Sequence, residues 1–531
     1  MAVLLLLLFS PGLAEIQFRD VANSAGIQFT LENHVTPERH MIETMAGGVA
    51  AFDYNNDGLT DIFFTNGATI PELRKSSPKY HNRLYRNLGK MKFADATEGA
   101  GLAGEGYSIG VAAADYNNDG HSDLFVAGVY RNILYRNRGD GTFEDVTEKA
   151  GIKSDKWAVA AGWFDYDRDG RLDLFVVNYA KWTPAFDRFC GDSVRRIRVY
   201  CHPKYFEGLP NTLYRSRADG TFEDVTQKSG IGGHIGRGMS VAFADYNADG
   251  WIDAFVTNDN LPNFLFRNLG NGTFEETAFL AGVAYPDHGK PVASMGVDFR
   301  DYDNDGRPDL SVTALFRETF PLFRNLGKGS FQDATYPTKI GPLTSNHSGW
   351  SNGFFDFDND GWKDLFTANS NVNDRVELFE PTRYKDRNTV FANNGDGTFR
   401  GAEAGLDSVR AHRGSAFADF DNDGKMDVVV SSLGEGAELW RNVSASGNNW
   451  LILKLTGSKS NRDGIGAEVR IGNQWNLMTT AVGYASSSAF GVHFGTGTAS
   501  RVPRIDIRWP SGAVQTLNNV AAGRVMEVRE P

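Results

Sequence analysis

GGVAAFDYNNDGLTDIFFTNG, residues 47–67, consists of two apolar runs around an Asp-rich turn. Within the turn Asp53, Asn55, Asp57 and Asp61 hold positions 1, 3, 5 and 9, and Gly58 holds position 6. Oxygen side chains at alternate positions, with a glycine that permits the tight bend, are how a short loop wraps a hard divalent cation. The flanks show no helical period, so the turn joins two strands. An EF-hand is excluded, because position 12 is Phe64 where that loop needs a bidentate Glu, and its flanks would be helices.

The pattern returns with its first residue at Asp115, Asp165, Asp245, Asp301, Asp356 and Asp419, in steps of 62, 50, 80, 56, 55 and 63 residues. Such a period fits one four-stranded sheet per unit, so the seven copies predict an all-β, seven-bladed β-propeller. A third strand follows each loop, as LYRNLG from Leu84, LYRNRG from Leu134, LYRSRA from Leu213, LFRNLG from Leu265 and Leu322, VFANNG from Val390 and LWRN from Leu439. A fourth follows six of them, marked by Phe93, Phe143, Phe222, Phe274, Phe331 and Phe399. The seventh copy is missing after Asn442 and reappears at 16–27 as IQFRDVANSAGI, so an N-terminal strand is expected to complete the last blade and close the ring.

Each loop offers side-chain oxygens from positions 1, 3, 5 and 9 and a backbone carbonyl from position 7. The predicted calcium ligands are Asp53, Asn55, Asp57, Leu59 and Asp61; Asp115, Asn117, Asp119, His121 and Asp123; Asp165, Asp167, Asp169, Arg171 and Asp173; Asp245, Asn247, Asp249, Trp251 and Asp253; Asp301, Asp303, Asp305, Arg307 and Asp309; Asp356, Asp358, Asp360, Trp362 and Asp364; and Asp419, Asp421, Asp423, Lys425 and Asp427. Three or four carboxylates within nine residues repel one another without an ion, which favours calcium over ion-free Asx turns. The loops hold 25 Asp against a formal net charge of −12, so seven calcium ions would leave the chain near neutral. That charge disfavours nucleic acid, which needs clustered Lys and Arg.

Residues 2–9, AVLLLLLF, then small residues through Ala14 read as a signal peptide at 1–14, and export to a secreted or periplasmic location follows. The run is too short to span a bilayer and no other approaches that length, so no membrane span is expected. Cys190 and Cys201 suit one disulfide closing a small loop in an oxidising compartment. They lie in an insertion at 181–210 that also carries Arg188, Arg195, Arg196 and Arg198. The propeller is assigned to 15–445, and a separate small β domain, sandwich-like and packed on the propeller, to 448–531.

Blades built on these turns resemble FG-GAP or VCBS repeats, the type found in the integrin α-subunit propeller. NRDGIGAEVRI from Asn461, with Gly483 to Ser488, VHFGTG and IRWPSG, resembles the ASPIC/UnbV domain, and the combination is similar to the cartilage acidic protein family. Two departures stand out: Asn55, Asn117 and Asn247 take position 3 where many repeats have Asp, and Ser486, Ser487 and Ser488 replace an expected acidic residue or Gln. The resemblance implies an exported calcium-binding protein and carries over no catalytic residues.

His234, His288, His347 and His412 each precede a loop by 7 to 13 residues, which sets them toward the other end of the inner strands. With Glu43, Arg237, Lys290 and Arg413 they form a candidate channel-mouth site for a transition metal or an anionic substrate, against the alternative of four unrelated histidines. No HExxH or phosphate loop occurs, and the GxSxG strings at 106–110 and 349–353 lie in runs that read as strands, not at the strand-to-helix turn of a nucleophile elbow. The reading is therefore a monomeric, non-enzymatic extracellular binding or cell-adhesion module for a protein or glycan ligand, with calcium mainly structural. Its competitors are a channel-mouth enzyme acting on a carbohydrate or other small molecule, and an accessory protein of a biosynthetic or export system.

Overall fold

The computed structural model describes residues 16–186 and 188–531, and the expected signal peptide lies outside the described residues. The chain is 42% strand and 6% helix. In the second blade Tyr107–Ala114, Asp123–Val129, Ile133–Asn137 and Phe143–Asp145 hydrogen-bond in chain order as an antiparallel sheet. Burial explains the sequence pattern. The first two strands, YSIGVAAA and DLFVAGV, are buried throughout and read as continuous apolar runs, whereas the outer FED hides only its Phe.

Six further sheets repeat this plan, and each Asp-rich turn joins the first strand of a blade to the second. The innermost strands pack one against the next, and His412–Ala418 of the seventh blade packs against Val49–Phe52 of the first, so the sheets stand in a ring. Aromatic pairs fill the gaps between blades: Phe164 stacks on Phe243 and Phe355 on Phe417, each at 4.5 Å between centroids. The fourth strand of the seventh blade comes from the other end of the chain, with Phe18–Asp20 paired antiparallel to Glu438–Asn442 and Phe18 opposite Asn442.

Residues from Asn449 onward form two sheets. One holds Val492–Gly497, Asn449–Thr456 and Arg524–Arg529; the other Gln474–Leu477, Glu468–Ile471, Arg501–Arg508 and Val514–Ala521. Their apolar faces share one core with the propeller, in which Leu451, Val469 and Ile507 join Trp163 and Leu174 of the third blade.

Between these sheets the segment 479–490 leaves the domain as a hairpin, closed by the bond from Ser488 N–H to Thr480 O, and runs into the centre of the ring. Ser487–Ala489 adds a parallel fifth strand to the first blade, with Ala50 opposite Ser487. Gly483 exchanges backbone hydrogen bonds with Val297 of the fifth blade, and Ala485 O accepts from Val111 N–H of the second. The inner strands leave room by being bare: a Cβ on Gly48 would lie 2.4 Å from Ala485 O, and one on Gly414 2.6 Å from Ser486 Oγ. The hairpin thus occupies the centre of the ring.

Candidate metal sites and the filled channel

In all seven turns the Asp at position 1 accepts two backbone N–H bonds across the loop. In the third, Asp165 Oδ1 takes Asp169 N–H at 3.1 Å and Oδ2 takes Gly170 N–H at 2.9 Å. Position 5 then accepts from position 7, as Asp169 Oδ1 does from Arg171 N–H at 3.0 Å. These bonds curl the chain so that the side chains of positions 1, 3, 5 and 9 converge. Groups of carboxylate oxygens within 4.8 Å of one another form at Asp165, Asp167 and Asp173; at Asp301, Asp303 and Asp309; at Asp356, Asp358 and Asp360; and at Asp419, Asp421 and Asp427. They fall in the four loops with Asp at position 3.

Charge is poorly met inside these clusters. Burial, and then the neighbouring carboxyls, push Asp165 and Asp419 up to about 7 and Asp360 to about 6, and outside the four clusters Asp61 of the first loop rises to about 8. Oδ1 of Asp167 and of Asp421, both at position 3, is buried with no hydrogen-bond partner. Crowded, partly orphaned carboxylate oxygens at the corners of a turn are the donor set that calcium takes. The loops with Asn at position 3 differ: Asn55 and Asn247 turn their amides onto Asp57 Oδ2 at 2.9 Å and Asp249 Oδ2 at 2.8 Å.

Two features of the site lie in motifs read only as strands. The Arg of the third strand serves as a counter-charge, with Arg215 2.7 Å from Asp167, Arg324 2.6 Å from Asp303 and Arg441 2.7 Å from Asp421. The following Asn ties neighbouring blades. Asn325 N–H donates to Asp309 Oδ1 at position 9, while its amide donates to Pro308 O in its own blade and to Tyr246 O in the loop of the preceding one. Asn87, Asn137, Asn268, Asn393 and Asn442 repeat that crossing bond. In the third blade the position is Ser216, which keeps only the bond to Asp173. Periodicity gives the position of this residue but not that its amide reaches across a blade boundary.

The C-terminal domain packs on the loop face. Asp463 Oδ2 accepts Asp115 N–H at 2.8 Å, Arg168 donates to Pro510 O, Arg470 to Gly306 O, and Asn448 to Asp358 O. The three serines that depart from the family pattern lie in the hairpin. Ser486, Ser487 and Ser488 each accept an inner-strand N–H, from Val49, Ala113 and Phe417 of the first, second and seventh blades, at 3.1, 3.1 and 3.0 Å. A short neutral hydroxyl satisfies these amides inside the ring without burying a charge.

The opposite face is roofed. The Cys190–Cys201 disulfide is present, and Tyr200 beside it crosses to the first blade to donate to Glu43 Oε2 at 3.1 Å. Arg188 lies 3.9 Å over the Tyr205 ring and Arg195 5.6 Å from that of Phe379, while Arg375 donates to Arg198 O. Arg188, Arg195 and Arg198 are thus engaged in packing the insertion, whereas Arg196 is exposed.

The proposed channel-mouth residues are not gathered into one group. His412 is buried between Asn369 O and Glu438, His347 pairs with Asp386 at 2.7 Å, and His234 packs edge-on to Phe264 and Phe266. His288 is exposed and accepts Lys290 N–H within its own turn. Among the described residues no three-residue metal-binding group contains a histidine. Arg237 donates to Phe206 O, and Glu43 accepts Thr36 Oγ1–H and His40 N–H. Arg413 is fully buried, donates to Thr44 O and lies 4.0 Å over the Trp350 ring. Trp350 in turn meets Tyr484 at the hairpin tip, whose hydroxyl donates to Met45 O at 2.8 Å. The sequence groups these residues by their offset from the loops, but it does not reveal that the chain's own hairpin runs into the centre of the ring.

Known proteins share both parts. Residues 53–126, 115–176, 205–256, 245–312, 301–367 and 374–430 match the FG-GAP-like repeat, and 457–531 match the ASPIC and UnbV domain. Cartilage acidic protein 1 of Homo sapiens is 27% identical over 342 residues, 60% of this chain and 48% of that one. The Mus musculus protein is 27% identical over 61% of this chain and 49% of its own length. The chain therefore spans about half the length of the curated relatives it matches. Among solved structures, an Agrocybe aegerita lectin described for its recognition of non-reducing terminal N-acetylglucosamine aligns at TM-score 0.40 and 17% identity, over 74% of this chain and 87% of the lectin. Rhamnogalacturonan lyase YesW aligns at TM-score 0.36 and 12% identity, over 80% and 75%. With repeats of one model running through most of its length and the second domain following them, the chain belongs to the FG-GAP-like repeat family and ends in an ASPIC and UnbV domain.

Proposed function

We propose that the chain is an exported, calcium-binding β-propeller that acts as an extracellular binding module, its calcium ions holding the turns rigid while recognition takes place elsewhere. The observation that carries the calcium assignment is the convergence of carboxylate oxygens in the four all-Asp loops, two of them with a buried, unpartnered oxygen at position 3. The disulfide supports an oxidising compartment. The bonds from the C-terminal domain to the loop face support a structural role for the ions. The filled channel weighs against an enzyme working along the propeller axis. The partner is a protein or glycan met by the roofed face or the blade rims.

Calorimetric titration of metal-free protein with calcium, beside its thermal melt, tests the assignment. Binding is expected at about 0.1 to 1 mM, the range of extracellular modules. The four all-Asp loops should fill before the three with Asn at position 3, with a higher melting temperature in calcium. An unchanged melt and no binding heat at 10 mM calcium would sink the proposal.

A further inference from the structure

Between the roof formed by the insertion and the hairpin tip lies a chamber of about 320 Å³, within the size range of small-molecule sites. Its wall is unusual in three respects. Four of the chain's nine methionines, Met41, Met45, Met239 and Met295, line it, a soft, adaptable surface that moulds to an apolar body. Tyr200, Phe316 and Trp350 add aromatic surface from the insertion and from the fifth and sixth blades. The charged lining residues are acids, Asp259, Glu318 and Glu380, with no Lys or Arg among them.

Among the described residues none of those acids forms a direct ion pair within 4.0 Å, although Arg237 and His202 lie near enough to Asp259 to favour its charged form. Glu318 uses Oε2 to accept Ala293 N–H at 2.9 Å and Leu315 N–H at 3.1 Å, and its Oε1 has no hydrogen-bond partner among the described residues. Asp259 accepts the Tyr179 hydroxyl at 2.7 Å and the Asn260 amide at 2.8 Å. The nearby cations are turned to other work: Arg237 reaches Phe206 O and Asp259 O, and Arg413 lies against Trp350. Burial raises both Glu318 and Asp259 above the ordinary carboxylate range, and for Glu318 the charge of Asp259 adds to it. A negative chamber with aromatic and thioether walls is complementary to one kind of ligand, because a carboxylate held partly out of water is stabilised by a paired cation and an aromatic face attracts the same cation.

We propose that this chamber binds a small organic ammonium ion with an apolar body, its charged head at Glu318 and Asp259 and its body against the methionines and Trp350. The inference rests on the reading of the chain as a binding module, but the two fail separately. Loss of the calcium effect leaves the chamber untouched, and an empty chamber leaves the calcium titration as it was.

The test is a charge series on the full, calcium-saturated chain by titration calorimetry: 2-phenylethylammonium, neutral 2-phenylethanol and anionic phenylacetate. The ammonium ion is expected to bind at least tenfold more tightly than the alcohol, and phenylacetate more weakly than either. Glu318→Gln, which keeps an oxygen for the two N–H groups, should cost the ammonium ion at least tenfold and leave the alcohol unchanged. The series on the native chain decides the matter even if that variant does not fold. Equal affinity for alcohol and ammonium, or no ammonium binding up to 10 mM, overturns the proposal. So does silver(I), a soft-cation probe, binding tightly while the ammonium ion does not, which would make the chamber a thioether metal site.

Discussion

Replacing Asn325 by Ala tests whether the ring is held at its blade boundaries by side-chain amides. Three bonds end at this residue's side chain: its Nδ2 donates to Tyr246 O at 2.9 Å and to Pro308 O at 3.0 Å, and its Oδ1 accepts Gly327 N–H at 2.8 Å. Asn325 is fully buried, so water does not readily replace its lost bonds. At about 1 kcal/mol for each bond, the loss is about 3 kcal/mol. Unfolding entropy of about 2.1 cal/mol/K per residue gives roughly 1 kcal/mol/K for a chain of this size, so the melting temperature should fall by about 3 °C. The third blade supplies the opposite arm of the test, because Ser216 occupies the equivalent place and makes no crossing bond. Ser216→Asn should raise the melt by about 1 °C if its amide reaches the Tyr116 carbonyl. Scanning calorimetry of both variants and the parent, in saturating calcium, reads the two shifts together. If Asn325→Ala melts within 0.5 °C of the parent, the ties are incidental to stability and the reasoning is refuted.

Tyr484→Ala removes a fully buried ring from the hairpin tip and should cost about 3 to 5 kcal/mol, read as a lower midpoint in a urea titration. An unchanged midpoint would mean that the tip is not packed in the ring. Glu530 accepts the Ser511 hydroxyl and the N–H groups of Ser458, Lys459 and Ser460, which outweigh its burial and hold its carboxyl at about 2. Because that value lies below the unfolded one of about 4.5, its stabilisation is present above pH 4.5 and lost as pH falls from there toward 2. The acid limb of a melt-against-pH curve should therefore be shallower in Glu530→Gln. Replacing Cys190 and Cys201 together by Ser opens a loop with a sequence separation of 11, worth about 3 kcal/mol by chain entropy, and limited proteolysis should then cut within 181–210 sooner than in the parent.

The repeat made most of the fold legible. Seven Asp-rich turns counted the blades, and the resemblance of 16–27 to the fourth-strand pattern located the strand that Phe18–Asp20 supplies to the seventh. The loop positions were legible for the same reason, since a period of two along a nine-residue turn fixes which side chains face inward. The hairpin at 479–490 was not, because its small residues carry no periodic signal and their meaning depends on bare positions such as Gly48 and Gly414 hundreds of residues away. The histidines misled for a related reason. Their offsets placed them at one end of the strands, but offset along a strand says nothing of whether a side chain faces the axis or its own sheet, and His412 faces Glu438 on the third strand of its own blade. The chamber residues were invisible for want of a motif: Met239, Glu318 and Trp350 come from the fourth, fifth and sixth blades and meet only through the packing of the blades.

A ring whose centre is occupied by a later stretch of the same chain has a consequence for how such proteins are inherited. Recombination that separated the repeats from residues 448–531 would leave inner strands with bare glycines around an unfilled bore and unpaired amides at Val49, Ala113 and Phe417. Recombination that delivered the hairpin to a propeller with ordinary side chains on its inner strands would meet steric clash. Repeats and terminal domain are therefore physically interdependent, and the junction near residue 446 divides two sequence patterns without dividing the packed unit.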